Sequence, residues 1–130
     1  MIVHEERFIR TFIVPNKRDR YLTLFGTKKG RGELTTRLNH NHDLGCQFLQ
    51  RIPSPKHTVD SIFALLKKRG APTGCYVISD GHLDGQQMEL KDALMETVGQ
   101  GIGTVISCIH GELGYFEAED PGERYLLCRV

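Results

Sequence analysis

The sequence lacks a long hydrophobic segment, and this absence excludes one large class of proteins. No apolar run approaches the roughly 18 residues that a membrane-spanning helix requires. The first ten residues, MIVHEERFIR, contain acidic residues where a signal peptide would have a basic region followed by a long apolar stretch. We therefore expect a cytoplasmic protein that has no membrane partner.

The cysteines lack the close spacing of metal-binding and redox motifs. None of the four belongs to a CxxC pair, and Cys108 and Cys128 lie inside apolar runs that predict core strands, VISCI and YLLCRV. A reducing compartment and the absence of short-range pairing both argue against disulfides. Free thiols with a structural role are therefore expected.

A large net charge is also missing, but the charges are unevenly distributed along the chain. The formal net charge is only +1. Residues 1–70 carry fourteen Lys and Arg against six Asp and Glu, a net +8, whereas residues 71–130 carry three against ten, a net −7. Either the two halves attract each other within one fold, or the basic half faces an anionic partner.

The first half of the chain has the periodicity of helices. Before Pro15 the apolar residues fit a helix better than a strand, and a short helix after it is expected to end at Gly26. Gly30 and Gly32 each cost about 1 kcal/mol inside a helix, so the next helix is expected to begin near Gly32. The strongest helical pattern follows Thr58, which has the side chain of an N-cap.

The second half of the chain contains most of the predicted strands. CYVIS predicts a buried strand, residues 90–98 predict a helix, and three further strands separated by glycine-rich turns predict an antiparallel meander. Because the last of these strands ends at Val130, it could form an exposed sheet edge that a second copy extends into a homodimer.

These elements predict one α+β domain over residues 1–130. We expect a basic helical half, residues 1–70, and an acidic strand-rich half, residues 71–130. The sheet is expected to be mostly antiparallel, with the C-terminal three-strand meander and with the helices packed on one face.

One candidate metal site lies in RLNHNHDLGC, residues 37–46. His40, His42 and Asp43 are candidate zinc ligands, and Cys46 or His57 could replace Asp43 as the third ligand. A catalytic zinc ion needs three protein ligands, and the spacing suggests only two of them. The end of a helix followed by a turn explains the same residues, so no cofactor is predicted and zinc is the alternative.

A candidate catalytic site lies in DGHLDG, residues 80–85. Asp80, His82 and Asp84 occupy the first, third and fifth positions of a calcium-binding loop, but Lys91 occupies the twelfth, where such a loop needs Glu. An Asp and His pair could still perform acid–base chemistry. Turn formation explains the aspartates and glycines equally well.

The glycine-rich segment GQGIGT, residues 99–104, invites comparison with phosphate-binding loops. Those loops place the glycines between a strand and the helix that follows it. Here the glycines follow a predicted helix and precede a predicted strand. Helix termination is therefore the preferred explanation.

The segment TKKGRG and its neighbours form a candidate anion-binding region. The candidate residues are Lys28, Lys29, Arg31 and Arg37, preceded in the chain by further basic residues at positions 7, 10, 17, 18 and 20. Side chains of this type contact nucleic-acid phosphates, and the affinity of such contacts falls steeply with salt. No motif of a known nucleic-acid-binding fold accompanies the charge. A solvated helical face that is partly paired with the acidic half is the simpler interpretation.

Three functions remain open. The preferred hypothesis is a small cytosolic, non-enzymatic binding or regulatory module that acts through protein contacts or self-association. The second hypothesis is an anion- or nucleic-acid-binding protein that uses the basic half. The third is a metal-assisted hydrolase, which requires convergence of the candidate side chains His40, His42, Asp80, His82 and Asp84.

Overall fold

A computed structural model describes residues 2–40 and 42–129 of the chain. Five α-helices occur in these residues: α1 (Val3–Phe12), α2 (Arg18–Leu24), α3 (Lys28–Arg37), α4 (Val59–Lys68) and α5 (Leu90–Thr97). The strands are β1 (Leu49–Arg51), β2 (Gly74–Ser79), β3 (Gln87–Glu89), β4 (Thr104–Ile109), β5 (Leu113–Glu117) and β6 (Arg124–Cys128). None of the described helices is both long and apolar enough to cross a membrane.

The six strands form one antiparallel sheet with the order β1-β6-β5-β4-β2-β3. The predicted α+β class and the C-terminal meander β4-β5-β6 are confirmed. The prediction that the last strand forms a sheet edge is wrong, because β1 pairs with β6 from Leu49 opposite Leu127 to Arg51 opposite Tyr125. Val130 lies outside the described residues. The three residues of β1 are too few to show an alternating pattern in the sequence, and the strand was therefore missed.

Helices cover both faces of the sheet rather than one. Cys75 and Val77 of β2 point into a core with α4 and α5, whereas Tyr76 and Ile78 point into a second core with α1, α2 and α3. The prediction that the helices pack on one face is therefore wrong. Successive residues of a strand face opposite sides, so an uninterrupted apolar run such as CYVIS needs a covering layer on each side.

Helix α3 begins earlier than predicted, at Lys28 rather than near Gly32. The Thr27 hydroxyl caps it by accepting a 2.9 Å hydrogen bond from the Gly30 backbone N–H. A Cβ atom at Gly30 would lie 2.3 Å from the Leu24 carbonyl oxygen. This glycine therefore permits the close approach of α2 and α3, which outweighs its low helix propensity.

The four cysteines are free thiols, as predicted. Cys75, Cys108 and Cys128 are buried, while Cys46 is exposed. Burial raises the pKa of the Cys75 thiol to about 11 and that of the Cys108 thiol to about 12. The two thiols are therefore protonated and unreactive near neutral pH.

Candidate functional site

Arg31 lies at the centre of an internal ion network on the sheet face covered by α1, α2 and α3. Its guanidinium donates to the Asp84 carboxylate at 2.7 and 3.0 Å and also donates to Glu5. The Tyr76 hydroxyl donates to the same Glu5 carboxylate at 2.5 Å, and Glu5 is only 4% exposed. Hydrogen bonds to Asp84 and Glu5 raise the pKa of Arg31. Arg31 and Asp84 therefore neutralise each other inside the fold, and neither is available for anion binding or catalysis.

The other two candidate catalytic residues, Asp80 and His82, have different partners. Asp80 accepts hydrogen bonds from the Asn39 amide at 2.9 Å and from the Thr36 hydroxyl at 3.3 Å. His82 is exposed, and its Nε2 lies 3.4 Å from the Glu96 carboxylate. The described part of the chain contains no group of three His, Cys, Asp or Glu side chains that could hold a metal ion. The convergence that a metal-assisted hydrolase requires is therefore not found there.

The candidate zinc ligands also have different surroundings. The exposed rings of His40 and His42 stack with their centroids 5.6 Å apart, on either side of Asn41, which lies outside the described residues. Of the alternative ligands, Cys46 is exposed, and His57 has both ring nitrogens within hydrogen-bond distance of other groups, an arginine and a backbone carbonyl. Among the described residues, the two stacked histidines therefore have no third ligand of the kind that a zinc site needs.

Asp43 points into the protein rather than towards the histidines. Its carboxylate accepts hydrogen bonds from the Tyr21 hydroxyl and, at 3.2 Å, from the Arg37 guanidinium. Burial and the hydrogen bond to Asp43 raise the pKa of Tyr21. These contacts attach the loop after α3 to α2, and they engage Arg37, another of the candidate anion-binding residues.

The glycine-rich segment binds a carboxylate of the protein itself. Glu117 is 1% exposed and accepts hydrogen bonds from the backbone N–H groups of Gly99 at 3.1 Å and Gly101 at 3.0 Å. The Tyr115 hydroxyl donates to the same carboxylate at 2.7 Å, and the Arg124 guanidinium lies 3.4 Å away. The amides that an external phosphate would need are therefore occupied.

Lys28 and Lys29 are the two candidate anion-binding residues that stay exposed. They lie in the first turn of α3 and, within the described residues, neither forms an ion pair with a carboxylate. Cations at the N-terminus of a helix are disfavoured by its dipole. Because they have no carboxylate partner among the described residues, these two lysines can contact an anion. They form only a small part of the basic surface.

Four arginines from three separate segments converge on an open groove beside α1. Arg7 and Arg10 belong to α1, Arg18 begins α2, and Arg129 follows β6. We call this surface the arginine groove; it is lined by Glu6, Arg7, Arg10, Thr11, Arg18, Phe48 and Arg129. In the sequence the first three arginines are recognisable only as neighbours of TKKGRG. Arg129 was missed because it belongs to the acidic half of the chain.

The groove arginines keep much of their hydrogen-bonding capacity for a ligand. Arg18 donates from Nε to the Ile13 carbonyl at 2.8 Å and from Nη2 to the Thr11 carbonyl at 3.5 Å, and Arg10 donates from Nε to Glu6 at 2.9 Å. The side chains of Arg7 and Arg129 are exposed and, among the described residues, form no ion pair. Since a guanidinium has five N–H donors in a planar fork, each of these arginines can still bind a carboxylate or a phosphate.

Backbone contacts hold the groove in shape. The turn between β4 and β5 packs so closely on α1 that a Cβ atom at Gly111 would lie 3.1 Å from the Cβ atom of Arg7. The backbone N–H of Arg129 donates to the Glu112 carbonyl at 3.0 Å. The main chain at Arg7 and Arg129 is therefore fixed, although both side chains reach solvent.

A second groove shares Arg129 with the first. It is also lined by Arg69 and Glu112, together with Ile109, Leu113 and Cys128. The Arg69 guanidinium donates to Gln50 at 3.0 Å and to the Cys128 sulfur at 3.1 Å. Five arginines thus line two neighbouring grooves, against the two acidic residues Glu6 and Glu112.

A small histidine cluster lies under the first turn of α1. His4 Nδ1 is 2.6 Å from the Ser107 hydroxyl, its ring stacks on Tyr76, and it meets His110 edge-on at 5.5 Å. His110 Nδ1 is buried and has no hydrogen-bond partner among the described residues. Burial, and then the neighbouring His110, lower the pKa of His4. Ser107 is 5% exposed in the middle of the sheet, so this contact joins α1 to β4.

Comparisons of the chain with models of protein families, with curated proteins and with solved structures found no match.

Proposed function

We propose that this chain is a small, non-enzymatic binding module whose partner is anionic and is held in the arginine groove. One observation carries the proposal: four arginines from α1, from the start of α2 and from the segment after β6 line a single open groove with one acidic residue, Glu6. A guanidinium binds phosphate or carboxylate with two parallel hydrogen bonds, which makes such a cluster selective for planar or tetrahedral anions.

The distribution of ion pairs supports this choice over a purely internal role for the charges. The two halves of the chain do attract each other in part, through Arg31 with Asp84 and through Lys91 with Asp60 at 2.6 Å. Arg7 and Arg129 have no such pairs among the described residues. Part of the basic charge therefore stays available for a partner.

Binding is proposed rather than catalysis because the carboxylates in or near the core already bind groups of the same chain. Glu5, Asp84 and Glu117 accept their hydrogen bonds from groups of the same chain. A cytoplasmic location belongs to the same proposal, since buried free thiols such as Cys75 and Cys108 suit a reducing compartment. Self-association stays a prediction.

The proposal can be tested with a fluorescein-labelled heparin fragment. Its binding is measured by fluorescence anisotropy over a range of salt concentrations. We expect binding that weakens as salt rises, because the contacts are ionic. The double variant Arg7→Gln/Arg129→Gln is expected to bind at least about tenfold more weakly, since each lost charge-assisted contact contributes of order 1 kcal/mol.

A matched control removes the same charge elsewhere. Lys28→Gln/Lys29→Gln also removes two positive charges from exposed positions, but outside the groove, and is expected to change the affinity by less than about twofold. Equal losses in the two double variants would show that only net charge matters. Equal losses, or no binding by the wild-type chain, would contradict the proposal.

A further inference from the structure

We infer that the anionic partner is a single-stranded nucleic acid, with its phosphates on the groove arginines and a base on Phe48. This inference rests on the proposed function and names the partner. It is based on two features that a site for a simple anion does not need, namely an aromatic side chain in the groove and an arginine surface that extends beyond it.

Phe48 offers a surface for stacking within the arginine groove. Its side chain is half-buried, and its ring packs at 84° on Phe12 with 5.4 Å between the ring centroids. Phe12 is 3% exposed, so the second ring holds the first against the core. A fixed, partly exposed ring beside arginines is the arrangement on which unpaired bases stack in proteins that bind single strands.

The arginine surface is longer than one anion requires. Arg129 lines both neighbouring grooves, and Arg69 continues the positive charge into the second one. The positive charge exceeds the negative charge, because Glu6 pairs with Arg10 and only Glu112 is left against the other four arginines. An extended chain of phosphates uses both grooves, whereas a single phosphate or carboxylate uses one.

The stacking surface selects a single strand over a double helix. Bases in a duplex are already stacked and paired, so their faces are not accessible to Phe48. A sulfated sugar can occupy the arginines but has no aromatic ring for Phe48, and an acidic peptide offers one only where it contains an aromatic residue, whereas every nucleotide carries a flat base. Stacking is also tolerant of sequence, since every base has a π-face. Binding with little sequence preference is therefore expected.

The experiment compares three fluorescein-labelled probes of equal length on the wild-type chain: oligo(dT), an abasic deoxyribose-phosphate oligomer and a DNA duplex. We expect oligo(dT) to bind about tenfold more tightly than the abasic oligomer, which corresponds to one stacked base. The duplex is expected to bind more weakly than oligo(dT). This comparison needs no substitution and does not depend on the folding of a variant.

Substitutions then locate the interaction. Phe48→Leu is expected to weaken oligo(dT) binding about tenfold and to leave binding of the abasic oligomer and of heparin unchanged. Phe63→Leu is the matched control and is expected to have no effect. Phe63 is a half-buried phenylalanine of α4 that packs on the core between the sheet and helices α4 and α5. Arg129→Gln is expected to reduce the slope of log K against log salt by about 0.7, the value for one phosphate contact with a single strand.

The outcomes separate this inference from the proposed function. Equal affinity for oligo(dT) and the abasic oligomer, with tight heparin binding that needs Arg7 and Arg129, would overturn the nucleic-acid inference and leave the anion-binding proposal standing. Preference for the duplex would overturn it as well. Failure of all these probes, heparin included, would overturn both.

Discussion

Arg31 and Arg129 carry the same charge in very different surroundings. Arg31 is bound on two sides by Asp84 and Glu5 and lies against the Phe25 ring, 4.9 Å from its centroid. Arg129 is exposed at the end of β6 and, within the described residues, has no carboxylate partner. The comparison shows that the role of a basic residue depends on whether the fold brings a carboxylate to it.

The two surroundings predict opposite consequences for stability and for binding. Removing Arg31 leaves the nearly buried Glu5 without its compensating charge, and desolvated unpaired charges are costly. Removing Arg129 takes away a solvated side chain whose loss the folded state tolerates. The buried network should therefore determine stability, while the groove should determine affinity.

The largest effect on stability is expected from Arg31→Met. Loss of the guanidinium leaves the Glu5 and Asp84 carboxylates unpaired, so the free energy of unfolding should fall by about 3 kcal/mol. Urea unfolding followed by circular dichroism measures this change. Lys28→Met, an exposed cation of the same helix, is the control and should alter stability by less than about 0.5 kcal/mol. A loss below about 1 kcal/mol in Arg31→Met would mean that the network contributes little.

A smaller loss of stability is expected from Tyr76→Phe, together with a change in how stability depends on pH under alkaline conditions. The variant loses one hydrogen bond to Glu5, a loss of about 1 kcal/mol at neutral pH. Burial and this hydrogen bond raise the pKa of Tyr76 to about 12 from its ordinary 10.0. The unfolded chain therefore releases this proton first, and the stabilisation is complete below pH 10 and lost as the pH rises towards 12.

Urea unfolding at increasing alkaline pH tests the Tyr76 prediction. The variant should lose stability less steeply than the wild type above pH 10, although Tyr21 and Tyr115, whose pKa values are also raised, keep part of the slope. Parallel curves for the two proteins would show that Tyr76 is ionised equally in the folded and unfolded states.

A still smaller effect, confined to mild acid, is expected from His4→Gln. Burial and His110 lower the pKa of His4 below its ordinary 6.5, so the unfolded chain takes up the proton first. The resulting stabilisation is complete above pH 6.5 and is lost as the pH falls through the lower pKa of the folded state. Gln keeps a polar group near Ser107, and the variant should show a flatter stability profile just below pH 6.5.

Thermal unfolding across this pH range measures the difference between His4→Gln and the wild type. His82→Gln is the control, because it removes a histidine from an exposed position outside the cluster of His4 and His110. A wild-type profile that is already flat below pH 6.5 would contradict the role given to His4.

The smallest effect on stability is expected from the double variant Arg7→Gln/Arg129→Gln. Both side chains are exposed, so the free energy of unfolding should change by less than about 0.5 kcal/mol in urea. The same variant is the one expected to bind anions most weakly. A large loss of stability would place these arginines in the same structural class as Arg31.

Local structure was predictable where neighbouring residues decide it. Thr58 caps α4 as predicted by accepting a 3.1 Å hydrogen bond from the Ser61 backbone N–H, and Gly70 follows that helix with a positive φ of 98°. Gly30 is the counterexample, because its presence in α3 depends on the proximity of Leu24 in another helix. Propensity describes one helix at a time, and the contact between two helices outweighed it.

The contacts between side chains were less predictable because the partners are far apart in the sequence. His4 and Ser107 are separated by 103 positions, and Arg31 and Asp84 by 53. DGHLDG and RLNHNHD have the composition of functional loops, yet Asp84 and Asp43 each hold an arginine of the basic half. Charge counting left open whether the two halves attract each other or the basic half faces a partner, and it could not assign individual pairs.

The sequence by itself determined the α+β class, the antiparallel meander, the cap and the end of α4 and the free state of the thiols. These properties depend on periodicity, on turn chemistry and on residues that are neighbours in the chain. Only the tertiary structure decided that helices cover both faces, that Arg31 is enclosed and that Arg129 joins Arg7 in one groove. The physical reason is that such contacts form between residues brought together by strand order, and strand order results from packing over the whole chain.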